Sequence, residues 1–222
     1  MDNIYLIERS LVLVLHIEVL SKEFGQAVWQ FIRDAGYEVQ QVSATDKPKF
    51  YRFTKPSNAR YPVMLELFSR APNALVPAQG STLTPIPIDE TVSSLSAILL
   101  DEDYYRFIID GRRMLNGLAW VGEDRLIPLK ATAWLDLTAR KAKGEKIDSK
   151  NIRKHCNDVI RLSSLLTPQT RIEINTKILK DLNDFMEAVK NDETIIPEQL
   201  GVKNTTRAAL LQRIGASYIQ RP

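Results

Sequence analysis

Near the start of the chain, Leu11–Ile17 (LVLVLHI) is apolar at every position but His16. A short run rich in Val and Leu predicts a buried strand. Ser21 follows as a helix N-cap, Phe24, Val28, Phe31 and Ile32 recur on one helical face, and Gly36 stands at the C′ position. Three further strands are expected over Tyr37–Ser43, Lys49–Thr54 and Tyr61–Phe68, the last two joined by the turn-rich Lys55–Arg60. Pro62 lies near the start of its strand, where a missing donor is tolerated. Ala71–Pro87 carries four prolines and little periodicity, which predicts a loop. Leu95–Leu100 reads as a strand ending at the acidic Asp101-Glu102-Asp103. Tyr104–Val121 fits a hairpin or a helix, and Gly111, Gly117 and Gly122 favour short pieces.

From Arg125 the period becomes helical. Leu126, Leu129, Ala133 and Leu137 share a stripe that Gly144 ends. A second helix is expected from Asp148 or Ser149, carrying Ile152, Cys156, Val159, Leu162 and Leu166. A third is expected from Thr167-Pro168, a cap followed by proline in the first turn, carrying Ile172, Ile178, Leu182, Phe185 and Val189. The end of the chain predicts a short helix around Thr205–Ile214 and a loose tail. The expected class is α+β: residues 1–122 form a mixed sheet with flanking helices, and residues 123–222 form a helical region.

Composition narrows the function classes. With 44% hydrophobic and 26% charged residues, the 222-residue chain is able to bury a core, which excludes general disorder. The formal charge of +3 is too small for a whole-protein field that attracts nucleic acid, so any nucleotide or RNA site has to be local. One cysteine, Cys156, excludes an internal disulfide, and two histidines, His16 and His155, argue against a histidine-rich zinc site. Leu11–Leu15 is far shorter than the roughly 20 apolar residues of a membrane span, and no basic segment precedes it. No membrane association is expected, and the expected compartment is the cytoplasm.

Several segments occur in a telling order: Phe50-Tyr51-Arg52-Phe53, then Tyr61–Arg70 (YPVMLELFSR), then Ser93–Asp101 (SSLSAILLD) with Tyr104-Tyr105, then Ile127–Ala131 (IPLKA) and Asp148–Leu162. Together they resemble the bacterial AbiEii/AbiGii-type nucleotidyltransferases of the polymerase-beta-like superfamily, which include toxins of toxin–antitoxin pairs. The resemblance runs roughly from Leu11 to Leu166. It implies a nucleotidyltransferase-like mixed sheet, an NTP substrate, Mg2+ as cofactor, an RNA acceptor and an antitoxin protein as partner. Attack on an α-phosphate builds negative charge that magnesium held by carboxylates neutralises. The family supplies an Asp-x-Asp pair on one strand, a third acid on an adjacent strand, and an upstream glycine turn that cradles phosphate.

This chain departs from that pattern. The strand that aligns with the acidic pair, Ser10–Leu15, reads SLVLVL, and the nearest acids are Glu8 and Glu18. The glycine turn is also missing, so the resemblance is to an N-terminally shortened or degenerate member, with an exposed sheet edge that invites a homo-oligomer. Glu66 matches the third acid, which makes it the catalytic and metal-binding candidate. Period-two counting puts it on one face with Met64 and Phe68, an acid among apolar residues, where pairing with Arg52 or Arg70 is the structural alternative. Lys130 matches a helix lysine that faces the nucleotide in relatives, against an ordinary solvated lysine. Arg52 and Arg70 are the remaining nucleotide-binding candidates, as bidentate phosphate donors. Asp158 is read as structural, His155 as a surface residue, and His16 as a core or edge histidine. A different reading makes Tyr51-Arg52-Phe53 and Arg60 an RNA-binding strip.

Overall fold

The computed structural model describes residues 10–14, 22–39, 51–68, 101–116 and 118–221, and at 10–14, 22–25, 39, 51, 52, 66–68 and 118 the description is of the backbone. The chain divides into two compact units, 1–92 and 93–222. The sequence-based boundary at 122/123 therefore falls inside the second unit. The α+β class is observed, as helices and small sheets. Two expected segments, Ala71–Pro87 and Leu95–Leu100, lie outside the described residues, as does His16.

In the first unit, β1 (Ser10–Val14), α1 (Lys22–Asp34), β2 (Glu38–Val39), β3 (Tyr51–Thr54) and β4 (Met64–Phe68) follow one another. The strands form one sheet in the order β1-β4-β3-β2, with β1 parallel to β4 and the other pairs antiparallel. Ile32, Ala35 and Tyr37 pack with Phe53 and Leu65, and Val28, Trp29 and Tyr61 close the edges of this core. Trp29 meets Phe53 edge to face at 5.6 Å, and Phe31 meets Tyr61 likewise at 5.7 Å. Gly36 ends α1 at φ +63, and a Cβ there would stand 2.8 Å from Ser57 Cβ. The close approach exists because both the Ser57 amide and its hydroxyl donate to the Ala35 carbonyl at 2.9 Å, satisfying an acceptor just past the helix end.

The second unit opens with α2 (Glu102–Asp110), capped by Asp101, whose carboxylate accepts from the Asp103 and Tyr104 amides. The ambiguous stretch thus resolves into both alternatives, because β5 (Arg113–Leu115) and β6 (Leu118–Trp120) form a hairpin after the helix. Asn116 at φ 50 makes its turn. Next come α3 (Glu123–Ala142) and α4 (Ser149–Ser163), with Gly144 at φ +91 between them and Asp148 capping α4 through the Lys150 amide.

Two expectations need correction beyond that point. The helix predicted from Thr167-Pro168 begins instead at Thr176, as α5 (Thr176–Val189) with Asn175 as N-cap. Ile172–Ile174 before it is a strand, β7, whose two isoleucines are buried and whose glutamate is exposed. The tail after α6 (Arg207–Ser217) is not loose: Tyr218–Gln220 forms β8, parallel to β7. Alternation of period two in Ile172-Glu173-Ile174 carries the strand signal, but pairing with a segment over forty residues away makes it a strand.

Helices α3, α4, α5 and α6 bury the second core, formed by Ile127, Ala131, Val159, Ile160, Ile178, Leu182, Phe185, Leu210 and Ile214. Pro128 sits inside α3 and has no amide to donate to the Asp124 carbonyl, four residues back. The Tyr218 hydroxyl donates to that carbonyl at 2.9 Å instead. Burial, helped by the Asp124 carboxylate, holds the Tyr218 pKa far above its ordinary value, so the group remains a donor. Among the described residues no helix is long and apolar enough to cross a membrane.

Candidate functional site

Because β1 is parallel to β4 and β3 antiparallel to it, one row of register partners crosses the sheet: Val12, Glu66 and Arg52. Phe53 and Leu65 are buried beneath α1. Alternation along each strand therefore places positions 52 and 66 on the face turned away from that helix. Glu66 and Arg52, two of the candidate residues, are thus direct cross-strand neighbours, and Arg70 lies outside the described residues. Of the RNA-binding strip, Phe53 is fully buried and stands on the opposite face from position 52, so it is not available to stack on a base, while Arg60 is exposed.

The same register tests the fit of magnesium. Positions on β1 that share the face of Glu66 are Ser10, Val12 and Val14, and the β1 partner of Glu66 itself is valine. Magnesium demands near-octahedral oxygen coordination, usually with more than one carboxylate or a substrate phosphate. A hydroxyl, two isopropyl groups and one carboxylate are not that donor set. Among the described residues no group of three His, Cys, Asp or Glu side chains converges as a metal site.

Lys130, the fourth candidate, lies in the second unit on α3, and it is only 7% exposed. Its ammonium donates to Asp158 Oδ2 on α4 at 2.9 Å, and Arg161 Nη1 stands 3.7 Å from the other carboxylate oxygen. The structure therefore replaces the solvated lysine with a buried ion pair that joins two helices. Asp158 has a structural role, as expected, but its close partner comes from another helix rather than from its own. His155 is buried, not on the surface, because α4 turns that side of its first half into the core. Beside it, burial foremost and the Asp192 charge push the Cys156 thiol up to about 12, which makes it a poor nucleophile.

Sequence reasoning missed a polar junction where α2, α3 and α5 meet. The fully buried Tyr104 hydroxyl donates to Asp181 Oδ2 on α5 at 2.9 Å and makes a second hydrogen bond with Thr132 on α3. Since an ionised carboxylate only accepts, Thr132 is the donor to the tyrosine oxygen. Burial foremost, with the Asp181 charge, raises the Tyr104 pKa well beyond its ordinary value. One turn away, Asp101 pairs with Lys177 of α5. Burial pushes the Asp101 carboxyl up, but the Lys177 hydrogen bond and charge, with the Tyr104 and Asp103 amides, outweigh it and lower its pKa. The signal available in the sequence was the capping aspartate before two acids, which marks the start of α2 but not its partner.

Comparison with family models, with curated proteins and with solved structures finds no match for this chain.

Proposed function

We propose that this chain is a nucleotidyltransferase-like protein of the AbiEii type that acts as a binding or interaction protein and does not transfer nucleotides. The observation that carries this reading is the row Val12–Glu66–Arg52. It sets a retained acid beside the strand on which the resemblance expects two more, and a valine stands directly opposite it. A sheet in which the third acid neighbours the first strand is what the ancestral transfer of a nucleotide from an NTP would use. Magnesium would supply charge neutralisation there, and the donor set at these positions falls short of holding it. An RNA acceptor and an antitoxin protein belong to the same resemblance.

The test is calorimetric titration of Mg2+ with ATP and then CTP into the purified chain. No heat of binding is expected with either nucleotide. Magnesium-dependent binding that disappears in Glu66→Gln would overturn the reading, because it would show that Glu66 still serves a metal–nucleotide site.

A further inference from the structure

We infer that the corner formed by the end of α3, the 143–148 link and the start of α4 is a docking surface for the phosphate backbone of a nucleic acid. It is independent of the nucleotidyltransferase reading. Residues 140–154 hold seven basic residues and two acidic ones, an excess of five in a chain whose formal charge is +3. The remainder of the chain is thus net −2, and this corner is where the positive charge collects.

Both acids in the stretch are already engaged. Glu145 accepts from Arg140 at 2.7 Å, and Asp148 caps α4 through the Lys150 amide at 2.8 Å. Lys141, Lys143, Lys146, Lys150, Arg153 and Lys154 are all exposed. Among the described residues, no ion pair involves Lys143, Lys146 or Lys150. Lys150, Arg153 and Lys154 are spaced i, i+3, i+4, so they share one face of α4.

The kind of anion follows from what the corner lacks. A basic surface that enters a lipid headgroup layer carries exposed Trp, Phe or Leu beside its cations, and a protein interface has an apolar or aromatic centre. None of the large exposed apolar side chains among the described residues falls within 140–154. Cations without apolar anchors suit a ligand whose affinity comes from phosphates and released counterions.

The experiment measures fluorescence anisotropy of labelled 30-nucleotide single-stranded RNA and DNA of the same mixed sequence, from 50 to 200 mM KCl. Binding is expected on the order of 10 μM, weakening as salt rises. Lys143→Gln/Lys146→Gln/Lys150→Gln is expected to keep the wild-type melting temperature and to weaken binding at least tenfold. It should also flatten the log–log salt slope by about 2, at ~0.7 per single-strand contact. Arg106→Gln/Arg171→Gln/Lys203→Gln removes the same charge elsewhere in the second unit and should leave affinity nearly unchanged. Equal affinity for both probes assigns the contacts to phosphate, whereas tighter RNA binding adds the 2′-hydroxyl. Absence of binding at 50 mM KCl, equal losses in the two triple variants, or tighter binding to polyglutamate or anionic phosphatidylserine vesicles than to either probe would overturn the inference.

Discussion

Replacing Lys130 by Met removes one half of an ion pair that the second unit has buried between α3 and α4. The side chains of Lys130 and Asp158 are 9% and 11% exposed, and their charged atoms are 2.9 Å apart. At an effective dielectric of about 20, Coulomb attraction over that distance is about 6 kcal/mol. Desolvating two ions costs several kcal/mol each, so the net contribution of the intact pair is near zero. The single variant keeps the desolvation cost of Asp158 and loses its closest described compensation, while Arg161 Nη1 stays 3.7 Å from the other carboxylate oxygen. A loss of about 3–5 kcal/mol is therefore expected for Lys130→Met. Lys130→Met/Asp158→Leu removes both charges and should recover to within about 1–2 kcal/mol of the wild type. Urea denaturation followed by circular dichroism, with the slope checked for constancy, measures all three. A single variant within about 0.5 kcal/mol of wild type would refute the reasoning, a size typical of surface changes. It would return Lys130 to the role of an available cation for a nucleotide.

Other outcomes follow from the same contacts. Tyr218→Phe leaves the Asp124 carbonyl without its donor and should cost about 1–2 kcal/mol. Pro128→Ala restores the helical amide, so the loss should shrink in that background, and a double-mutant cycle in urea checks this. Gly36→Ala meets both a left-handed φ of +63 and a Ser57 Cβ at 2.8 Å, so about 2–4 kcal/mol should be lost. Ser57→Gly should relieve the contact part of that loss while leaving the backbone part, again read from denaturation midpoints. Asp101 has a lowered pKa in the folded state, so its contribution is complete above the ordinary carboxylate value and fades as pH falls through the folded one. Lys177 has a raised pKa, chiefly from the Asp101 hydrogen bond, so its contribution fades as pH rises through the folded lysine value. Lys177→Met should therefore flatten the stability–pH profile at both extremes, and thermal melts across pH 2–11 test this.

Local rules made much of the fold legible. Gly36 and Gly144 stop their helices in the left-handed conformation, Asp148 caps α4, and the period-two runs around Phe53 and Leu65 became strands, because each signal acts within a few residues. Short apolar segments whose partners are remote carry no such local signal. By sequence Ile172–Ile174 reads as part of a helix and Tyr218–Gln220 as part of a loose tail, since neither has a ladder until the other arrives. The candidate site divides in the same way. The lack of acids in Ser10–Leu15 and the presence of Glu66 were plain in the sequence. That Val12 and Arg52 flank Glu66 was decided by strand order, which no period within one strand encodes. Lys130 is the clearest case, because its place in the sequence fits either an ordinary solvated lysine or one that faces a nucleotide. Only the packing of α4 against α3 brings Asp158 to its ammonium, and a buried charge is tolerated only where such a partner stands.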